Sequence, residues 1–363
     1  LRRLILKLHL VVAVIAGAFI VVLGATGSVL AFEPELDRLF HPHLSYVSPG
    51  ATVLPLQQIG TAVSQRLSGE PVVAYLPSTS PDISSAVVLP SGIVYVNQYT
   101  GEVLGLRSRG QTFLGFVRAI HVRLAGGDIG RNMLRWSGLA LLVSLVSGLY
   151  LWWPAKRIRI RSRWRSRGFW FDLHNAIGIF SFLPLLALAA TGAIIGFEDQ
   201  AASLIDRLIP NKEAASGSSE VHNSQTAAMH EVTPDEAVAI ACARVPGTVA
   251  YRVQMPRYGG VYRVSLSYPE DRIAGDRNQV AVDPHSGDVI SFARSSDLST
   301  RKKILATNEA IHTGEILGLP TKIIASLASV TLTVQAISGL LIWLYRSRPM
   351  PVRDKAEKGE AVV

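Results

Sequence analysis

Four of the nine histidines occupy matched positions in the chain. His9 and His174 each follow a leucine, and each stands 18 residues before the glycine of an Ala-Thr-Gly triplet, Ala25-Thr26-Gly27 or Ala190-Thr191-Gly192. His121 and His312 each close an Ala-Ile-His triplet, and each stands 27 residues before the glycine of a Ser-Gly pair, Ser147-Gly148 or Ser338-Gly339. Phe32 and Phe197 lie 23 residues after the first pair of histidines, and Trp152 and Trp343 lie 31 after the second. Such gap-free self-similarity reads as an internal duplication. Equivalent residues of a duplicated bundle face each other across its pseudo-two-fold axis, which pairs His9 with His174 and His121 with His312. Two histidines on facing helices supply the two axial nitrogens of a low-spin haem, a flat ring that slots between helices. Zinc wants three or four ligands in one place, which separated pairs do not offer. Cys242 is the lone cysteine and no Cys-x-x-Cys-His occurs, which excludes c-type attachment, a cysteine zinc site and an iron–sulfur cluster held by this chain alone. The pattern therefore predicts two b-type haems.

Other candidates are graded against this pattern. Arg131 follows His121 by ten residues and Lys322 follows His312 by ten, where haem propionates would point, although interfacial anchoring explains them as well. Gly17, Gly24, Gly27, Gly178 and Gly192 would let helices pass close to a ring. His41, His43, His222, His230 and His285 lack repeat partners and read as surface residues. Trp152, Trp153 and Trp343 read as an aromatic belt.

The elements that must position these residues are membrane spans. Uncharged windows cover 10–32, 136–155, 173–197 and 323–345, with 23, 20, 25 and 23 residues. About 20 apolar residues cross a bilayer core as a helix. The first window could be a cleaved signal peptide, but its length and its internal counterpart favour a span. Hydrophobic residues make up 48% of the chain, charged residues only 17%, and mean hydropathy is +0.29. A soluble domain carries about 25% charge, so a soluble enzyme, a disordered chain and a nucleic-acid-binding domain are all poor readings. The net charge of +9 sits in short loops. Seven basic residues lie between Lys156 and Arg167, and others flank the first and last spans. Basic short loops stay cytoplasmic. This predicts both termini in the cytoplasm of a bacterial inner membrane, two large periplasmic segments, and contacts with anionic lipid.

The predicted organisation is an α-helical membrane protein with four transmembrane helices in a duplicated two-plus-two bundle and two small α+β periplasmic modules. The spans are placed at 8–32, 132–155, 173–198 and 320–345. The modules are placed at 33–131 and 199–319, the basic cytoplasmic loop at 156–172, and the cytoplasmic tail at 346–363. Each module reads as a helix followed by short strands, and Thr233-Pro234-Asp235-Glu236 has the form of a helix start. A continuous helix from His121 to Trp152 would run about 46 Å at 1.5 Å per residue, too long for a bilayer core. Either His121 stands above the membrane or the chain turns at Gly126-Gly127.

Asp172-Leu173-His174, Ala190-Thr191-Gly192, the 148–154 run Gly-Leu-Tyr-Leu-Trp-Trp-Pro and His312-Thr313-Gly314-Glu315 together resemble the PepSY-associated transmembrane proteins, often called iron-regulated membrane proteins. The resemblance spans nearly the whole chain, and the outer modules look like PepSY domains. Siderophore reductases of the ferrioxamine type belong to that family. The resemblance implies four spans, two b haems on His9, His121, His174 and His312, and electrons delivered to a periplasmic ferric siderophore or similar Fe(III) chelate. No motif marks a particular siderophore. No GxGxxG nucleotide fingerprint is present, so the donor would be external, a quinol or a cytoplasmic reductase. Two other readings are a PepSY module that binds a periplasmic peptidase, which leaves the histidines unexplained, and a siderophore or haem transporter. The spans hold few mid-membrane polar residues, chiefly Thr26, Ser144 and Gln335, which disfavours the transporter.

Overall fold

The computed structural model describes residues 1–346 apart from 68, 109–111, 155, 157, 159, 161–165, 210–230, 258–259, 270–277 and 295–297. Helix α1 (Arg2–Leu30) leads through α2 (Glu33–Phe40), α3 (Pro42–Ser45) and α4 (Leu56–Arg66) to strands β1 (Ala74–Leu76), β2 (Ser85–Val88), β3 (Ile93–Val96) and β4 (Val103–Arg107). Helices α5 (Phe113–Arg123) and α6 (Gly127–Trp152) follow. The order then recurs, from α7 (Arg167–Gly196) through α8 (Glu198–Leu208), α9 (Pro234–Arg244), β5 (Val249–Gln254), β6 (Tyr262–Ser267), β7 (Asn278–Val282) and β8 (Val289–Ala293) to α10 (Thr300–Thr313) and α11 (Leu319–Arg346). Among the described residues only α3 lacks a counterpart. His222 and His230 lie outside the described residues.

Helices α1, α6, α7 and α11 are long and apolar enough to cross a membrane. They form a square: α1 packs on α6 and α11, and α7 packs on the same two. Val11, Ile15, Val146, Leu183 and Leu327 point outward and are exposed, a band that suits lipid rather than water. A buried layer of Ile20, Leu141, Leu185 and Leu332 with Ala16, Ala189 and Ala328 fills the middle of the square. The span limits differ a little from expectation. Ser166 caps α7 by accepting the Phe169 N–H, so that helix starts at Arg167 and residues 167–172 are helix, not loop.

The chain does turn between α5 and α6. Leu124 and Ala125 have φ of 49° and 54°, and Gly127 has 60°. Left-handed backbone costs a non-glycine residue roughly 1–2 kcal/mol. The matching turn between α10 and α11 uses Gly314 and Gly318 at φ 77° and 71°, where no such cost arises. Both turns set a short helix apart from the span that follows.

Each α+β segment carries a helix and four consecutive antiparallel strands, and the two meet edge to edge. Their strands join into one eight-stranded antiparallel sheet in the order β4-β3-β2-β1-β5-β6-β7-β8. The join is the β1–β5 pair, with Ala74 opposite Gln254 and Tyr75 opposite Val253. Pairing the two inner edges removes two rows of unsatisfied backbone groups, which a reading of each segment alone could not anticipate. Alternate residues Val87, Val94, Val253, Val264 and Val280 face Ile59 and Val63 of α4 and Ala237 and Ala241 of α9 in one core. A carboxylate also spans the join. Asp235, in the first turn of α9, accepts the Leu56 N–H at 2.7 Å and the Gln57 N–H at 3.0 Å. Helix α4 has no side-chain cap of its own, and the carboxylate meets the positive end of its dipole.

Candidate functional site

All four matched histidines are seated in one way. The His9 Nδ1–H donates to Ser147 Oγ at 2.9 Å, and that of His174 donates to Ser338 Oγ at 3.0 Å. The His121 Nδ1–H donates to Thr26 Oγ1 at 2.8 Å, and that of His312 donates to Thr191 Oγ1 at 3.1 Å. The direction follows from the hydroxyls. Ser147 gives its proton to Val143 O at 2.6 Å, Thr26 to Val22 O at 2.6 Å, Thr191 to Ala187 O at 2.7 Å and Ser338 to Gln335 O at 3.1 Å. Each hydroxyl oxygen is therefore left to accept from the ring. An imidazole protonated at Nδ1 keeps its lone pair on Nε2, and a partner at the far nitrogen is what orients a ligating histidine.

A glycine next to each hydroxyl residue makes room for the ring. A Cβ on Gly148 would stand 3.3 Å from His9 Cε1, one on Gly339 3.4 Å from His174 Cε1, one on Gly27 3.2 Å from His121 Cε1 and one on Gly192 2.9 Å from His312 Cε1. Gly17 and Gly178 line the cavity described next. Gly24 does something else: a Cβ there would meet Ser329 O at 2.7 Å, so Gly24 serves the close packing of α1 on α11.

The pairs sit at opposite ends of the square. At the end remote from the sheet, His9 of α1 and His174 of α7 line one cavity of about 120 Å³. Its walls are apolar apart from Ser144, Asn175, Gln335 and the two imidazoles. Trp152 and the mid-bundle leucines Leu141, Leu185 and Leu332 line it as well. At the sheet end, His121 of α5 and His312 of α10 have ring centroids 6.4 Å apart, with planes at 42°. Two imidazoles sharing one metal through bonds of about 2.0–2.1 Å have centroids about 6 Å apart. Burial, with His312 and Arg118 adding to it, pushes His121 down to about 4, and burial lowers His312 as well. Both are neutral near pH 7, as a nitrogen ligand must be. His9 to Thr26 and His174 to Thr191 are each 17 residues along one helix, a rise of about 25 Å between the two ends.

Among the described residues no three His, Cys, Asp or Glu side chains gather around a point. Each end offers two imidazoles, and the end remote from the sheet adds an apolar slot. This donor set fits a group that brings its own equatorial ligands, and it fits haem better than a bare ion. The cations at the sheet end are partly committed. Lys322 is buried and its Nζ donates to Glu35 at 2.9 Å. Arg131 leans on Asp128 at 3.7 Å, and Arg118 pairs with Glu33. The Glu35 carboxyl sits below its ordinary value: burial works to raise it, and the bond to Lys322 and its charge outweigh that. His41 leans on Asp37, while His43 and His285 are exposed.

Over residues 6–346 the chain matches the family described as the PepSY-associated TM region. The chain belongs to that family. With its four apolar helices, it is a multi-pass membrane protein. No curated protein matches the chain. The family match takes in both ends of the square and all four seated histidines.

Within this PepSY-associated membrane protein several site residues were not singled out from the sequence. Thr26, Ser147, Thr191 and Ser338 were visible as parts of repeated Ala-Thr-Gly and Ser-Gly words, but their hydrogen-bonding partners were not. Glu35 has no sequence signal that ties it to Lys322, 287 residues away. Arg135 marks the edge of an apolar window and its repeat equivalent is Ser326, so a search for matched residues passes over it.

Proposed function

We propose that this protein is a duplicated two-plus-two bundle that holds two b-type haems, one between His9 and His174 and one between His121 and His312. On this reading it passes electrons to a ferric chelate of the siderophore class. The observation that carries the proposal is the common seating of four imidazoles, each with Nδ1 engaged by a hydroxyl and Nε2 left as a ligand. Bound haem iron supplies one-electron transfer. The chain fixes ring orientation through the hydroxyls, admits the rings beside glycines and excludes water with apolar walls. One electron converts Fe(III) in a hard-oxygen chelate to Fe(II), which such ligands hold less tightly.

Orientation follows from charge. Arg2, Arg3, Lys7, Lys156 and Arg167 lie at the end remote from the sheet, the sequence of 156–167 is rich in basic residues, and such short basic segments stay cytoplasmic. This supports a reading with both termini in the cytoplasm of a bacterial inner membrane and the sheet in the periplasm. The periplasmic acceptor would then meet the His121–His312 end, and a quinol or cytoplasmic reductase would supply electrons from the other. The test is reoxidation of the chemically reduced protein in detergent by a ferric hydroxamate chelate, with Fe(II) trapped by a ferrous chelator. Fast reoxidation with Fe(II) release is expected. A reduced protein that ignores ferric chelates and reacts quickly with a quinone would instead be a quinone-linked electron carrier.

A further inference from the structure

Among the described residues Arg135 is the one cation with a buried side-chain nitrogen that lacks a hydrogen-bond partner. It lies one turn after Arg131 on α6, and a Cβ on Gly196 of α7 would stand 3.2 Å from its Cγ. Gly196 is one turn beyond Gly192, against which the His312 ring rests. The Arg135 side chain thus lies about 6 Å along α7 from the His312 seat. The guanidinium stands over the Phe197 ring, 5.9 Å from its centroid, and Nη1 donates to Asn132 Oδ1 at 3.3 Å. Its Nε is buried and has no hydrogen-bond partner. No carboxylate pairs with it among the described residues, whereas Arg118, Arg131 and Lys322 each have one. A buried donor on a charged group left unpaired is costly, so such a group calls for a partner. A guanidinium fork fits a carboxylate in two bonds.

The direction also agrees. The two sheet-end imidazoles rest on α1 and α7, at Gly27 and Gly192. A flat group held between them extends toward the other two corners of the square, α6 and α11. Helix α11 offers Lys322, taken by Glu35, and Ser326, whose Oγ donates to Ser28 O at 2.9 Å. Helix α6 offers Arg135.

We infer that Arg135 is a carboxylate anchor for the tetrapyrrole at the His121–His312 end, pairing one acidic side arm of the ring. This rests on the haem reading above and adds a specific binding residue to it. Because Ser326 stands at the equivalent place, the anchor serves one corner of the pseudo-symmetric site only.

The test titrates the full-length apoprotein in detergent with haem and with haem dimethyl ester, whose acidic arms are blocked. Wild type should bind haem at both sites and bind the ester about 10- to 100-fold more weakly at one of them. Arg135→Leu should weaken haem at that same site by the same factor and abolish its preference for haem over the ester. Arg135→Lys should recover part of it. The midpoint potential of that site should fall in Arg135→Leu, since a lost cation favours ferric haem, and the other site should stay unchanged. Wild type that binds ester and haem equally at both sites overturns the inference without any variant. So does an Arg135→Leu protein that keeps the wild-type preference. A wild type that binds no haem overturns the haem reading itself, an outcome separate from both.

Discussion

The two ends of the bundle hold their histidines by the same bonds but in different architectures. At the end remote from the sheet, His9 and His174 belong to the spans, and the surrounding cavity is walled by all four. At the sheet end, His121 and His312 come from short helices α5 and α10, set off from the spans by tight turns. The first site is built once the spans pack. The second is complete only when α5 and α10 dock on α1 and α7. The remote pair shares a cavity walled by the spans, whereas the sheet-end pair lies next to cations, carboxylates and the sheet, the end that the proposed acceptor would meet.

The largest effects test the pairing itself. His9→Ala and His174→Ala should each remove one and the same spectral component, and His121→Ala and His312→Ala the other. Optical redox titration of the four variants reads this directly. If His9→Ala and His121→Ala abolish a common component, each half binds its own group and the comparison between ends fails.

Next in size is a steric block. In Gly192→Leu the new side chain starts 2.9 Å from His312 Cε1, so the ring must leave its seat. Haem content should fall nearly as far as in His312→Ala, with the remote site intact. Gly24→Leu should instead loosen the α1–α11 packing and lower the thermal stability of the whole bundle, because Gly24 touches no histidine.

Smaller effects come from the hydroxyls. Thr191→Val and Ser338→Ala each strand an Nδ1–H while leaving the ligand in place. Loss of such an orienting partner costs about 10- to 100-fold in affinity, readable as faster haem transfer to an acceptor protein. The two variants should each affect only their own end.

The smallest effect concerns Glu35 and Lys322. The folded protein holds the Glu35 carboxyl below its ordinary 4.5. Its contribution is therefore present above pH 4.5 and is lost as pH falls through the lowered folded value. The Glu35 side chain is 43% exposed, so Glu35→Gln should cost less than about 1 kcal/mol at pH 7. The difference from wild type should vanish in strong acid.

Much of this organisation was legible in the sequence because it is written in two periodic features, apolar length and internal repetition. The four spans and the matched histidines follow from those. The hydroxyl seating was half legible: Ala-Thr-Gly and Ser-Gly recur, but only packing shows that Thr26 accepts from His121 rather than serving α1 alone. The single sheet was not legible, since the β1–β5 join depends on how Ala74 meets Gln254 across 180 residues. Arg135 was hidden for the opposite reason. It breaks the repeat, and repetition was the signal.

The most direct measurement is the absorption spectrum of the purified protein, oxidised and reduced, with a pyridine haemochrome count per chain. Four imidazoles seated as two pairs predict a Soret band, sharp α and β bands on reduction, and two b-type haems. A colourless protein from haem-replete cells, or one haem per chain, contradicts that account.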